Sequence, residues 1–440
     1  MPRHARGGQT TSERDSDRDA RGEFAHRDPD THAQCEPDTE AHGQIPELLT
    51  SHALTVAGFV GRAHAREAGA AVTFRRPGSL FRGWKSVAPV GRPGQTPFMS
   101  AVEIVQVDPL DQQTVDGWLA VRQAVRDADF PQLPPTAPAS DIVGLLRRRS
   151  DRRVEQWVAR RDQEVVAALE LLFHLRDNQH LVGAELVVAP DHRRQGIGTA
   201  LAGHAERRAV AEGRDTLVAY AVDTITGGPP RSPHGQRFAE ALGYVRVLDE
   251  VHRVADLTTV SDAELDRLLS EAWQRAEGYE IVQWAGAKPE EILEGAAYLN
   301  GRMFLDAPLG EMDLRHAVFD TGRVREMEAH HRALGMLELG TVVRHRASGE
   351  VAGYTEITLV PGDEEHCWQG NTIVDPNHRG RRLGTILKIE NYRLLRSYRP
   401  RMRYVHTWNA EVNAYMISIN EAIGYRAVDR WIGYQKKLPT

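Results

Sequence analysis

The stretch that decides the fold runs Val187-Val188-Ala189-Pro190-Asp191-His192-Arg193-Arg194-Gln195-Gly196-Ile197-Gly198-Thr199-Ala200-Leu201. An apolar strand meets a glycine-rich turn, and helical spacing starts at Ile197. The pattern returns as Thr372-Ile373-Val374-Asp375-Pro376-Asn377-His378-Arg379-Gly380-Arg381-Arg382-Leu383-Gly384-Thr385-Ile386-Leu387. A turn of this kind opens a helix with free backbone N–H groups and the positive end of its dipole, a ready site for a pyrophosphate. The flanking arginines add charge.

Working outward, each copy has the same order. Glu103–Val107 reads as a strand and Val115–Arg126 as a helix. A proline-rich loop and a short helix over Asp141–Arg148 come next. Val154–Arg160, Glu164–Phe173 and Leu181–Ala189 read as an antiparallel meander, because their connections are short. The helix Ile197–Ala211, strand Thr216–Val222, helix Gly235–Leu242 and strand Tyr244–Leu248 complete the first block. The second block repeats this from Tyr279–Trp284 to the terminal strand Asp429–Gln435. Between them, Ser261–Ala276 starts with a capping-box spacing, Ser261 to Glu264. The expected fold is α+β: two tandem domains over 99–257 and 279–440, each a mixed, mostly antiparallel sheet flanked by helices, joined by a linker helix within 258–278.

Residues 1–98 form no part of either block. Positions 1–44 contain no Val, Ile or Leu, too little apolar surface to offset ordering entropy. The extension is expected to be disordered, a miscalled start before Met99, or a regulatory tail. The chain is rich in Arg, with only five Lys among 55 basic residues, which suits codon bias. Against 61 acidic residues the formal net charge is −6, so a nucleic-acid binder is not expected. Two distant cysteines, Cys35 and Cys367, argue against a disulfide scaffold or a cysteine zinc module. No run is long enough to span a membrane, and no secretory leader pattern opens the chain, so the expected location is cytoplasmic. No metal site is expected, since His330-His331 and His366/Cys367 lack ligand spacing.

A dinucleotide fold could use a similar turn. It is disfavoured because the preceding strands are hairpin-linked, the third fingerprint glycine is replaced by Leu201, and Asp215 precedes its strand. Both junctions instead resemble the acyl-CoA-binding motif of the GNAT superfamily of N-acetyltransferases, Gln/Arg-x-x-Gly-x-Gly/Ala. The first copy matches at Arg193, Gly196 and Gly198, the second at Arg379 and Gly384, with Arg382 in place of the first glycine. The tandem arrangement is similar to that of actinobacterial enzymes of the mycothiol-synthase type. The resemblance implies acetyl-CoA as cosubstrate and a primary amine of a small molecule as acceptor, in a monomer or homodimer. It implies cofactor contacts from Val188, Arg193, Arg194, Gln195, Gly196, Ile197, Gly198 and Thr199. In the second copy these are Ile373, Val374, Arg379, Gly380, Arg381, Arg382, Leu383, Gly384 and Thr385. Strand N–H groups at Val187 and Val188, and at Ile373 and Val374, would polarise the thioester.

The family's late helix carries an Asn that touches the cofactor arm and a Tyr that protonates the thiolate. Asn413 falls at that Asn, but Asn420 stands at the Tyr position, with Tyr415 nearby. The first copy has Ser232 and Ala239 there. Glu356, in an apolar central strand, is the first choice for the base, as a bare carboxylate with a raised pKa. Glu170 and Glu185 are its counterparts, and His406 and Thr407 are weaker candidates. On this reading the catalytic residues are Glu356, Asn413 and Tyr415, and the second copy is the working one. Segment Asn300–Asp313, with Met303, Pro308 and Met312, is expected to border the acceptor cleft. A non-catalytic acyl-CoA-binding regulatory or interaction protein is the alternative.

Overall fold

The computed structural model describes residues 102–133 and 149–439. The N-terminal extension and the expected helix over Asp141–Arg148 lie outside the described residues. The described residues hold twelve strands and eight helices. The first half comprises β1 Glu103–Gln106, α1 Gln112–Asp129, β2 Arg152–Arg161, β3 Glu164–His174, β4 Leu181–Val188, α2 Ile197–Ala211, β5 Thr216–Thr224, α3 His234–Ala241 and β6 Val245–Asp256. Helix α4, Asp262–Trp273, links it to the second half: β7 Tyr279–Ala285, α5 Glu290–Asp306, α6 Thr321–Ala333, β8 Leu337–His345, β9 Val351–Leu359, β10 His366–Val374, α7 Leu383–Tyr398, β11 Tyr404–Ala410, α8 Ala414–Ala422 and β12 Tyr425–Lys437.

Each helix has a sequence reason. Asp111 caps α1, accepting from Thr114 N–H at 3.3 Å, and Val115, Trp118, Val121 and Val125 line its buried face. Ser261 caps α4 in the same way through Glu264 N–H. Helix α2 lays Ile197, Leu201, Ala205 and Ala209 on one side of the first half's sheet, and α7 buries Ile386, Leu387, Ile389 and Leu395 against the second.

The strands make one sheet, in the order β1-β2-β3-β4-β5-β12-β6-β11-β10-β9-β8-β7. Only β4–β5 and β10–β11 are parallel. A sheet for each domain was expected; instead the two are continuous and their last strands are exchanged. β12 pairs with β5 from Asp429↔Thr224 to Lys437↔Thr216, and β6 pairs with β11 from Tyr404↔Asp256 to Ala410↔Glu250. β6 and β12 pair with each other in the middle. Trp368, Trp408, Trp431, Met312 and Met336 pack along this seam. The exchange lets each half's sheet run into the other without a free edge between them.

Each parallel pair opens partway along. β4 bonds to β5 only over Leu181–Gly183, and β10 to β11 only over His366–Trp368. Beyond those points the strands splay and leave a wedge in front of each glycine-rich turn. Elsewhere packing is tight. A Cβ on Gly340 would lie 1.9 Å from the Trp284 ring. Gly340→Ala is therefore expected to destabilise the chain by about 1–3 kcal/mol or more, measured by urea unfolding.

Candidate active site

The two turns share a backbone device. In the first, Arg194 (φ 62°) and Gly196 (φ 79°) are left-handed; in the second, Gly380 (φ 77°) and Arg382 (φ 54°) are. Glycine and arginine have traded places within one αL-x-αL turn. Arg382 therefore keeps the turn that Gly196 makes, at a strain of about 1–2 kcal/mol for a non-glycine residue. It adds a side chain that donates to Glu271 at 3.2 Å. A Cβ at Gly196 would meet nothing within 4 Å, so the space before α2 is open. Neither helix has a side-chain cap. The first helical bonds are Ala200 N–H to Gly196 O and Ile386 N–H to Arg382 O. The N–H groups of Ile197, Gly198 and Thr199, and of Leu383, Gly384 and Thr385, precede them and face out of the helix end.

Arg193 and Arg379 have a different task from the one expected. Arg193 Nε donates to Val188 O at 3.1 Å, and its fork binds Asp129 at 2.6 and 3.1 Å. Arg379 repeats this with Val374 O at 3.2 Å and Asp306 at 2.8 Å. Both arginines tie the turn to the strand and to the preceding helix rather than reaching for phosphate. Arg194 lines the cleft. Arg381 folds back on the carbonyls of Asn377 and Arg379, and Gln195 bonds to Arg161. Ile197 is buried in the core.

The strand donors also sharpen. Ala189 N–H bonds to Val166 O on β3, and Asp375 N–H to Ala352 O on β9. Alternation therefore turns the N–H groups of Val188 and Val374 to the open edge, and those of Val187 and Ile373 toward the neighbouring strand. Of the four expected donors, Val188 and Val374 are the ones whose N–H groups face the wedge.

In the first half, a cavity of about 670 Å³ runs from the turn into the wedge. Val188, Arg194, Gly196, Gly198 and Thr199 line it, as do Arg122, Arg126, Asp129, Phe130 and Glu185. Trp431 and Tyr434, from the exchanged strand, complete it. Glu185 and Glu170 are direct partners across β4 and β3. Arg122 from α1 bonds to Glu185 at 2.9 Å, and Gln156 approaches Glu170 at 3.5 Å. Burial, reinforced by the Glu185 charge, pushes Glu170 up to about 7, against the opposing pull of Arg122.

The second half differs at the equivalent position. Glu170 and Glu356 are 186 residues apart, as are Arg193 and Arg379. Glu356 is not the bare carboxylate expected: buried Lys288 lies 3.3 Å from it and also bonds to Glu338. Burial works to lower the Lys288 pKa, but Glu338 and Glu356 outweigh it and hold the ammonium charged. Burial likewise opposes ionisation of Glu338, yet Lys288 and His331 hold it down to about 2. Asn371 stands where the first half has Glu185. It joins Asn300 and Tyr354 in a buried network with bonds of 2.5–3.0 Å.

The other expected residues are also accounted for. Asn413 caps α8, accepting from Met416 N–H at 3.2 Å. Asn420 donates to Asn409 at 2.6 Å. Tyr415 packs against the second-half core. His406 faces His252 and His366 in the seam, not the second wedge, and Thr407 is buried. Of the 300–313 segment, Met303 is buried in the second-half core. Its end clamps the seam: Glu311 N–H bonds to Val247 O, and His180 contacts Asp313 O at 3.0 Å. Three tyrosines in the first cavity wall were not anticipated. Burial and Glu240 push Tyr434 up to about 12, and burial also raises Tyr220 and Tyr244. The Tyr434 hydroxyl donates to Glu240 at 3.1 Å. Only the strand exchange brings Tyr434 here, so its own block gave no signal. Burial raises the Cys367 thiol well above its usual range. Among the described residues no cluster of three His, Cys, Asp or Glu could hold a metal, and no helix is long and apolar enough to cross a membrane.

A splayed parallel pair in front of an uncapped, glycine-turned helix, present twice, defines a tandem acyltransferase. The acetyltransferase (GNAT) family profile matches residues 118–244 and 312–415, together more than half of the chain, and the chain belongs to that family. It is an N-acyltransferase. A tandem GNAT protein from the clavulanic acid biosynthesis pathway, solved without acetyl-CoA, is similar over 77% of this chain and 99% of that one, at 29% identity and a TM-score of 0.64. A GCN5-related N-acetyltransferase from Sphaerobacter thermophilus shares the fold over 77% of this chain and 96% of that one, at 17% identity and a TM-score of 0.52. No curated protein sequence matches the chain.

Proposed function

We propose that the first half carries the chemistry, moving an acetyl group from acetyl-CoA to a primary amine of a small molecule. The division into modules at 99–257, 258–278 and 279–440 goes with this reading, each module lending its last strand to the other. The observation that carries it is the contrast at one repeated position. Glu170 pairs with Glu185 beside an open cavity, whereas Glu356 is locked to Lys288.

A primary amine with a pKa of about 10.4 is about one part in 10³ neutral at pH 7. Glu185, in the cavity wall opposite Glu170, takes the ammonium proton, directly or through water. The free amine then attacks the thioester carbon. A C–N bond forms as the C–S bond breaks, with Val188 N–H aimed at the developing oxyanion. The leaving thiolate takes a proton from a wall tyrosine, each of which stays protonated at neutral pH, and the second proton shed by the attacking nitrogen as the amide forms restores that tyrosine. The pyrophosphate is held by the N–H groups of Ile197, Gly198 and Thr199, with Arg194 adding charge. Holding both substrates in the wedge avoids an entropic cost of up to about 7–11 kcal/mol.

The test is thiol release from acetyl-CoA across a panel of primary amines, with product mass confirming N-acetylation. Amine-dependent release is expected. Stoichiometric acetyl-CoA binding with no release for any amine would favour the non-catalytic binding protein instead. In an active pairing, kcat/KM should climb through pH about 7 as Glu170, pushed up to about 7 by burial, loses its proton. A profile flat from pH 6 to 8 would contradict that role.

A further inference from the structure

A continuous line of side chains joins the second half to the first half's turn. His366 Nδ1 lies 2.8 Å from His406 Nε2, His406 Nδ1 lies 3.0 Å from His252 Nε2, and His252 Nδ1 lies 3.2 Å from Asp429 Oδ1. Asp429 Oδ1 also accepts from Trp431 Nε1 at 2.9 Å. Its Oδ2 accepts from Arg231 Nε at 2.9 Å and Nη2 at 2.5 Å. Arg231 Nη1 donates to Asp129 O at 2.7 Å, and the Asp129 carboxylate holds Arg193. Arg193 in turn fixes Val188 O beside the turn.

The chemistry of the donors orders this line. A carboxylate only accepts, so His252 carries its proton on Nδ1 and accepts at Nε2. His406 must then donate from Nδ1, and His366 likewise. Three imidazoles share one tautomer, and Asp429 sets it. The Arg231–Asp429 pair is almost fully buried, with side chains 3% and 2% exposed, so neither charge has water to fall back on. The second turn is held differently. Its equivalent of Asp129, Asp306, is held by Arg302 on the same helix at 2.6 Å.

We propose that Asp429, delivered by the exchanged last strand of the second half, is a positioning residue for the acetyl-CoA turn of the first, acting through Arg231, Asp129 and Arg193. It rests on the reading that the first-half cleft takes acetyl-CoA. The second half thereby contributes to the first half's site without touching the substrate.

Calorimetry with acetyl-CoA on the full chain tests this, alongside thermal unfolding. Asp429→Asn keeps the shape but removes the charge that grips the guanidinium. It is expected to weaken acetyl-CoA binding about tenfold or more, since charge-assisted forks are the strong hydrogen bonds. Arg231→Lys keeps the charge and loses the fork, and is expected to weaken binding about fivefold; it serves if Asp429→Asn does not fold. His252→Leu should weaken binding, and His252→Asn, whose amide can stand in for Nδ1, should restore it. Nitrogen-15 spectra of the wild type should show His252, His406 and His366 all as Nδ1–H tautomers. Wild-type affinity in folded Asp429→Asn or Arg231→Lys, or an Nε2–H tautomer at His252, would overturn the proposal. Absence of acetyl-CoA binding by the wild type would instead overturn the reading it rests on, and the proposal with it.

Discussion

Glu185→Gln is expected to lower amine acetylation by about 10²–10⁴-fold, the usual share of a general base, with acetyl-CoA binding unchanged. The glutamine keeps the volume and can still accept from Arg122, so the wall should hold its form. Glu170→Gln should have a smaller effect on rate. It removes the carboxyl that burial pushes up to about 7, so the pH limb near 7 should disappear. Glu356→Gln is the matched control, because that carboxylate already belongs to Lys288. Its expected signature is lost stability, since it loosens the partner of a buried ammonium, while turnover per folded molecule stays within about threefold of wild type. Steady-state rates normalised to folded fraction measure all three. A collapse of turnover in Glu356→Gln beside an active Glu185→Gln would return the chemistry to the second half.

Gly196→Glu should abolish productive acetyl-CoA binding, by about 100-fold or more. It sets a carboxylate at the mouth of α2, where the pyrophosphate would lie, and forces a left-handed non-glycine residue at about 1–2 kcal/mol. The substitution meets no neighbour within 4 Å at its Cβ, so loss of binding would not be a packing artefact. The equivalent change is Arg382→Glu, at a position that is already left-handed and non-glycine. It should leave turnover within about threefold. Retained turnover in Gly196→Glu with loss in Arg382→Glu would reverse the assignment of the two halves.

Most strands and helices were legible because helices such as α1 bury one periodic face and central strands such as β3 and β9 are apolar runs buried on both faces. Helix Ile197–Ala211 runs between its expected ends, and the meander β2–β4 follows its short turns. The strand exchange was not legible. β6 was expected to stop at Leu248, yet it continues to Asp256, because Glu250 and His252 break the apolar alternation although both are buried. A buried polar residue looks like a solvated one until its partner is known, and here the partner is Asp429, 177 residues away. The same blindness governed the site. Glu356 and Glu170 occupy equivalent strand positions, and Lys288, which separates their chemistry, arrives from the loop before α5. The arginines of the motif read as phosphate ligands, but Asp129 and Asp306 claim two of them from 64 and 73 residues away.

The most direct measurement is a crystal structure of the full chain grown with acetyl-CoA. The pyrophosphate is expected on the N–H groups of Ile197, Gly198 and Thr199, with the thioester carbonyl facing Val188 N–H and Glu185 beside the open face of the acetyl group. Acetyl-CoA seated only at Leu383–Thr385, with its thioester against Val374, would contradict it.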